Sequence, residues 1–475
     1  MVGSVAVLRR VATFAAMNWV LPALLFSLGV QAGGLQISDV VRRTLERQPQ
    51  LSEDSLSLRQ SQAQIERLKR KVVLPEFEVS VGFAPAPGFR YDYQKGTGPD
   101  SSRIVDSTRS YAWWPLGPTF GTEISVAQPL NVGRLRAGMK AARAGARVAQ
   151  AELHGRRQTY VKQSLEYLFG FQYATRMLKM LREANERLDS VQNALQTKLD
   201  DGDEDVSQTD LFQIKIGRYE LEKSLQEAKL GQDRAREGLA FALGYSSSDS
   251  MVIADSLLEP LPDLGSFVDL ETRFAHPDLA RLKAGLEAKS SLVDVERANM
   301  GPDIFVFGKF SYTKAWVANR DEQNKDVLIT DPLNAIGGML GLGFRWHLNF
   351  WSQLAEVKRA ELDWQQLRRK EVYARRGLLA LAKDAWLRYN AMGERQRSAK
   401  TALDAADAWL KSVGQQVDLD PSRGKDLIGP YKTWLDYQNK YWDSVHERNK
   451  LALEVLLASG TLLEQPALVG TARNQ

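Results

Sequence analysis

The sequence contains no cysteine. That excludes disulfides, thiol nucleophiles and cysteine metal sites together, and it suits an oxidising compartment where a stray thiol is a liability. Histidine is nearly as scarce. The four are His154, His276, His347 and His446, scattered without HExxH or any other ligand spacing. No glycine-rich phosphate loop opens a helix after a strand, and no GxSxG occurs. Catalytic, cofactor and metal sites are therefore not expected. Charge of one sign is lacking too: 63 Lys and Arg stand against 58 Asp and Glu, for a net +5 spread along the chain. No nucleic-acid partner is expected from so weak a basic excess.

Long apolar runs are absent after residue 32. The single one precedes it: Arg9 and Arg10 lead into "VATFAAMNWVLPALLFSLGV", and Val30 and Ala32 fit a small-residue cleavage site. Residues 1–32 are read as a signal peptide, since Pro22 interrupts the run and small residues end it. Any later entry into a membrane then requires a β-barrel, because no other segment is long and apolar enough for a spanning helix.

Proline is missing from two zones, between Pro129 and Pro260 and between Pro332 and Pro421. Long helices are possible in those zones. The apolar spacing agrees: Met177, Leu181, Ala184, Leu188, Val191 and Leu195 step by four and three, as do Ala399, Leu403, Ala406, Leu410, Val413 and Val417. These are heptad seams. Each long helix ends at a turn rich in breakers, "LDDGDEDVSQTD" at 199–210 and "VDLDPSRGKD" at 417–426, and a second helix returns to end at Gly244 or Gly460, residues suited to a helix C-cap. Two helical hairpins follow, at about 133–244 and 350–460.

Four segments alternate instead with period two, at about 75–83, 120–128, 303–312 and 339–348. Phe77, Val79, Val81 and Phe83 oppose Glu76, Glu78, Ser80 and Gly82, and the other three repeat the theme. Aromatic residues stand near strand ends (Phe83, Phe120, Tyr312, Trp346), as at a membrane interface. The long segments 84–119 and 313–338 read as loops outside the membrane.

The pattern occurs twice. Pro49 matches Pro277, Pro75 matches Pro302, "PLN" at 129–131 matches "HLN" at 347–349, Asp210 matches Asp426 and Gly244 matches Gly460. The chain is read as a tandem duplication of helix, strand, strand and helical hairpin, at 33–260 and 261–460, with a tail at 461–475. Two strand pairs do not close a barrel, so other copies of the chain are required.

The order of elements, the junctions "QPLNVGRL" and "HLNFWSQL", and the two breaker turns each leading to Asp-Leu resemble the TolC family of outer-membrane efflux channels, over residues 35–460. The resemblance implies an α+β membrane protein, trimerising into a twelve-stranded β-barrel continuous with a long α-helical barrel. It implies a homotrimeric exit duct set in outer-membrane lipid and extending into the periplasm. Its partners would be a periplasmic adaptor (membrane fusion) protein and an inner-membrane transporter, in efflux or type I secretion. The competing readings are a periplasmic adaptor and a coiled-coil envelope protein without a pore.

By the same resemblance the turns form a periplasmic tip that docks the adaptor and closes the aperture. The candidates are Asp200, Asp201, Gly202, Asp203, Glu204, Asp205 and Asp210 at the first turn, and Asp418, Asp420, Arg423, Lys425 and Asp426 at the second. Asp201-Gly202 keeps the glycine of the family's docking dipeptide, whereas Asp420-Pro421 does not. Threefold repetition would turn the acids into an anionic ring that attracts cations. Pro129, Asn131, Leu348 and Asn349 mark the strand-to-helix junctions.

Overall fold

The computed structural model describes residues 35–94, 104–200, 207–246, 251, 253, 258–316, 334–419 and 426–469. The signal-peptide segment 1–32 lies outside them. Two short helices, α1 (Ile37–Arg47) and α2 (Pro49–Val73), precede the strand pair β1 (Glu76–Gln94) and β2 (Ile104–Pro129). The helices α3 (Val132–Asp200) and α4 (Gln208–Ala242) follow. The second half gives α5 (Phe267–Thr272), α6 (Pro277–Asn299), β3 (Asp303–Ala315), β4 (Ala335–Arg345), α7 (Phe350–Leu419) and α8 (Ile428–Ser459), and α9 (Pro466–Val469) ends the described chain.

The strands form one antiparallel sheet in the order β1-β2-β3-β4. Several boundaries differ from the sequence reading; β3 runs on to Ala315, and β4 begins at Ala335 rather than about 339. Most of segment 84–119, expected to be a loop, is strand. Pro85 pairs with Pro118, and a register shift between Ala86 and Gly88 takes up Pro87. β3 accompanies β2 only as far as the Thr119–Ala315 pair. Beyond that level, among the described residues, β1 and β2 form a two-stranded ribbon in which both are edges and proline is tolerated. At its other boundary β4 stops at Arg345 rather than 348, because its partner strand begins at Asp303, opposite Arg345. Trp346 turns away and donates Nε1–H to the Met300 carbonyl at 3.1 Å.

At 69 and 70 residues, α3 and α7 each run for about 100 Å. The shorter helices meet end to end beside them. The return helix α4 finishes at Gly244 (φ +68), against the Arg47 carbonyl just before α2. In the second half α8 finishes at Gly460 (φ +79), against Ala275 and His276 just before α6. The same abutment thus appears twice. α2, α3, α6 and α7 make the half nearer the sheet, and α4, α3, α8 and α7 make the far half.

The main apolar core sits where the short helices meet. Val161, Leu165, Leu168 and Phe169 from the middle of α3 pack with Leu239 and Leu243, with Val445, Leu453 and Leu456 of α8, and with Val40, Leu258, Leu462 and Leu468. Residues from both ends of the chain and from the stretch between its halves are therefore gathered at one waist. Asn449 fixes that stretch, accepting from the Leu261 N–H at 2.9 Å and donating to the Glu259 carbonyl at 2.8 Å. Tyr389 adds a bond from its hydroxyl to Asp263 at 2.9 Å.

A side chain at Gly460 would bring a Cβ to 2.4 Å from the Ala275 carbonyl oxygen, at a backbone angle that L residues rarely adopt. Gly460→Ala is expected to cost about 1–3 kcal/mol. Thermal unfolding followed by circular dichroism should show a clearly lowered midpoint, and an unchanged midpoint would mean the waist does not need this contact.

Candidate functional site

The sheet has two unlike faces. Cross-strand pairing puts Phe77, Val79, Val81 and Phe83 beside Val126, Ile124, Thr122 and Phe120. The same row continues through Phe310 and Tyr312 on β3 to Ile336, Leu340, Leu342 and Phe344 on β4. In the single chain Phe83 is 79 % exposed and Leu340 is 83 % exposed. An apolar surface this open marks contact with something other than water. From Ile336 to Phe344 it covers about 27 Å of strand, or roughly 20 Å of height at a 45° tilt, close to the apolar band of a membrane barrel.

Aromatic rings bound that band. Phe83 and Phe120 lie 5.1 Å apart and Phe120 and Tyr312 6.3 Å apart at the end away from the helices. Trp346 packs edge-on with Phe344 at 6.4 Å and Phe350 at 5.7 Å at the helix end.

The opposite face carries Glu78, Ser80, Glu123, Ser125, Lys309 and Ser311, with Lys309 paired to Glu123 at 2.9 Å. It also holds Phe305 and Phe307, which the sequence reading missed. Phe305 lies over Gly343, where a Cβ would come within 2.3 Å of the ring. β3 is apolar on both sides at this point, so strict alternation gave no signal.

The junctions differ from each other. Pro129 pairs with Phe305 at the end of β2. Two residues on, the Asn131 side chain donates to Asp303 Oδ1 at 2.6 Å and accepts from the Ile304 N–H at 3.2 Å, while its carbonyl accepts from Leu135 in the first turn of α3. Arg134 pairs with Asp303 as well. One residue thus joins the start of a helix, through its main-chain carbonyl, to the neighbouring strand, through its side chain. The Asn349 carbonyl likewise accepts from Gln353 of α7, but its side chain stands exposed, and Leu348 is 68 % exposed.

The two helical hairpins meet along α3 and α8 through an aromatic ladder. Tyr173 stacks on His446 at 4.8 Å, Arg176 lies 3.8 Å over the Trp442 ring, and Arg187 lies 5.3 Å over Tyr431, which stacks on Trp434. Each cation–π contact contributes about 0.5–2 kcal/mol, the more so as it is desolvated. Below the ladder a cleft of about 800 Å3 opens between the hairpins, bounded by Arg187, Val191, Ile214, Leu410 and Tyr431.

Of the tip candidates, Asp200 ends α3 and accepts from the Gln196 amide at 2.9 Å. Asp210 lies in the first turn of α4, Asp418 in the last turn of α7, and Asp426 in the short 3-10 segment before α8. Asp201, Gly202, Asp203, Glu204, Asp205, Asp420, Arg423 and Lys425 lie outside the described residues. Among the described residues no three His, Cys, Asp or Glu side chains gather as metal ligands, and no helix is long and apolar enough to cross a membrane.

Burial pulls the His446 imidazole down to about 4; nearby Lys450 adds to this and Glu447 opposes it. The folded seam therefore holds His446 neutral. Its contribution to stability is complete above the unfolded value near 6.5 and is lost as pH falls from there toward 4. His446→Phe keeps the stack on Tyr173 and should flatten the fall in unfolding temperature across that window. An equally steep fall in the variant would assign the pH dependence to other groups.

No protein-family model matches the chain, and no curated protein matches it. Solved structures do. The chain is similar to the Campylobacter jejuni CmeC outer membrane channel, with a TM-score of 0.68 at 15 % identity over 94 % of both chains. It is similar to the outer-membrane channel OprN, with a TM-score of 0.66 at 16 % identity over 90 % of both. The outer membrane protein VceC of Vibrio cholerae gives a TM-score of 0.64 at 14 % identity, over 90 % of this chain and 96 % of that one. The two-faced sheet joined to paired long helices is thus the TolC-type fold of these outer-membrane channels.

Proposed function

We propose that the chain is the outer-membrane exit duct of a tripartite efflux or type I secretion system, working as a homotrimer. The observation that carries the reading is the sheet: an apolar face bounded by aromatic rings, a polar face behind it, and a direct passage into helices about 100 Å long. Three sheets side by side give twelve strands, enough for a barrel whose wall is apolar outside and polar inside. The helices continue that wall into the periplasm.

The free flanks support closure by further copies. Among the described residues β1 and β4 each have one unpaired edge. On α4, Phe212, Ile216, Tyr219, Leu230 and Phe241 fall on one stripe at 100° per residue and are each at least 50 % exposed. α7 brings an exposed Trp409 to about the same height. A head-to-tail ring joins these flanks and leaves none open. A periplasmic adaptor or a coiled-coil envelope protein has no use for a two-faced sheet of this kind.

The far ends of the hairpins are proposed as the adaptor-docking tip, with the acidic turn residues narrowing the passage and Arg423 and Lys425 latching it. No catalytic role is assigned to any residue. The chain should fractionate with outer membranes and run as a detergent-stable trimer; recovery with the inner membrane would favour the adaptor, and a soluble chain the coiled coil. Replacing Arg423 and Lys425 together by alanine should raise passive conductance of the purified trimer, and unchanged conductance would refute the latch.

A further inference from the structure

The two halves of the sheet share one register. Glu76 pairs with Ala127, and Asp303 pairs with Arg345. Asp303 stands 227 residues after Glu76, and Arg345 stands 218 after Ala127. Those offsets also relate Pro75 to Pro302 and Pro129 to His347. β1–β2 and β3–β4 are therefore the same hairpin built twice, residue for residue at the pairing level.

In a ring of such sheets, the joint between β2 and β3 inside one chain and the joint between β4 and the next chain's β1 become equivalent. The first is visible, so it is a template for the second. We propose that β4 docks on β1 of a second copy in the register that β2 and β3 display, with Asn349 bracketing that copy's Glu76 and Phe77 as Asn131 brackets Asp303 and Ile304. This rests on the trimeric-channel reading above and specifies its subunit contact.

The template is concrete. β2 pairs Ala127 with Phe307 and Ser125 with Lys309. The same offsets turn these into Arg345 opposite Ser80 and Gly343 opposite Gly82 of the second copy. The apolar face then runs on unbroken, with Phe344 opposite Val81 and Leu342 opposite Phe83.

On the polar face Arg345 comes diagonal to Glu78 of the second copy, within reach of a long side chain. Inside its own chain Arg345 lies over the Phe305 ring at 5.5 Å. The ion pairs near this end of the sheet among the described residues join Lys309 to Glu123, Lys71 to Glu76 and Arg134 to Asp303. Arg345 and Glu78 are thus opposite charges brought together only by the second copy. Asn349 fits the same picture: it corresponds to Asn131, yet its side chain stands exposed in the single chain.

The absence of cysteine makes the register directly testable. Directly opposed strand residues have Cα atoms about 4.5–5.5 Å apart, within disulfide range. Arg345→Cys combined with Ser80→Cys, oxidised in isolated outer membranes, should give covalently linked chains on a non-reducing gel. Glu78→Cys or Gly82→Cys in place of Ser80→Cys should link less. Stronger linking at either of those positions, or a trimer that links at none of the three, overturns the proposed register while leaving the channel reading in place. A wild-type chain that is monomeric in detergent overturns the trimer itself. Asn349→Ala should lower the temperature at which the trimer falls apart in SDS, and an unshifted temperature removes the bracket.

Discussion

Every backbone N–H and C=O at the depth of a bilayer's hydrocarbon core has to find its partner inside the protein. In the proposed channel, the four strands among the described residues meet that condition on every side but two, the outer edges of β1 and β4. Much else in the chain follows from it. A closed ring is the arrangement that leaves no edge, a ring sets a polar face toward its interior, and the interior has to continue somewhere. The short passage from β2 to α3, and through residues 346–349 from β4 to α7, continues it.

At the first of these passages, from β2 to α3, one asparagine stands between two hydrogen-bonding systems. A strand end leaves groups facing sideways, whereas a helix start leaves N–H groups facing along its axis. Asn131 touches both: its side-chain amide answers Asp303 and Ile304 sideways, and its main-chain carbonyl accepts the first intrahelical bond, from Leu135. Ordered loops need several residues for the same task. The economy of the junction explains why the chain has no linker there.

Much of this was legible in the sequence, because periodicity reports which faces are buried. Phe77 to Phe83 and Leu340 to Phe344 alternate cleanly, and the proline-free zones hold α3, α4 and α7. The ribbon of β1 and β2 was not legible, since Pro85, Pro87, Pro115 and Pro118 read as breakers until it is known that both strands are edges at that height. Nor was the waist. α1, α5 and α9 are short, and the contacts of Asn449 with residues 259 and 261 join positions nearly two hundred apart, which no local pattern encodes. Phe305 and Phe307 were hidden by a strand that is apolar on both sides. The tip acids were chosen by composition and by resemblance, and a turn rich in Asp and Gly does not by itself distinguish a closed aperture from a solvated bend.

The abutment at Gly244 and Gly460 has a mechanical side. Of the four rods that each chain contributes, two are continuous helices and two are interrupted at mid-length, where the Ala275 N–H donates to the Ser459 carbonyl across one gap and Arg43 donates to the Tyr245 hydroxyl across the other. An interrupted rod resists compression but yields to bending and twist. The far halves, about 50 Å long, are therefore levers hinged on a waist into which α1 and α9 are packed. By lever geometry a rotation of roughly 5° at that waist carries the far ends through about 4 Å, so a small repacking around Phe169 and Leu453 is enlarged at the distance of a whole hairpin.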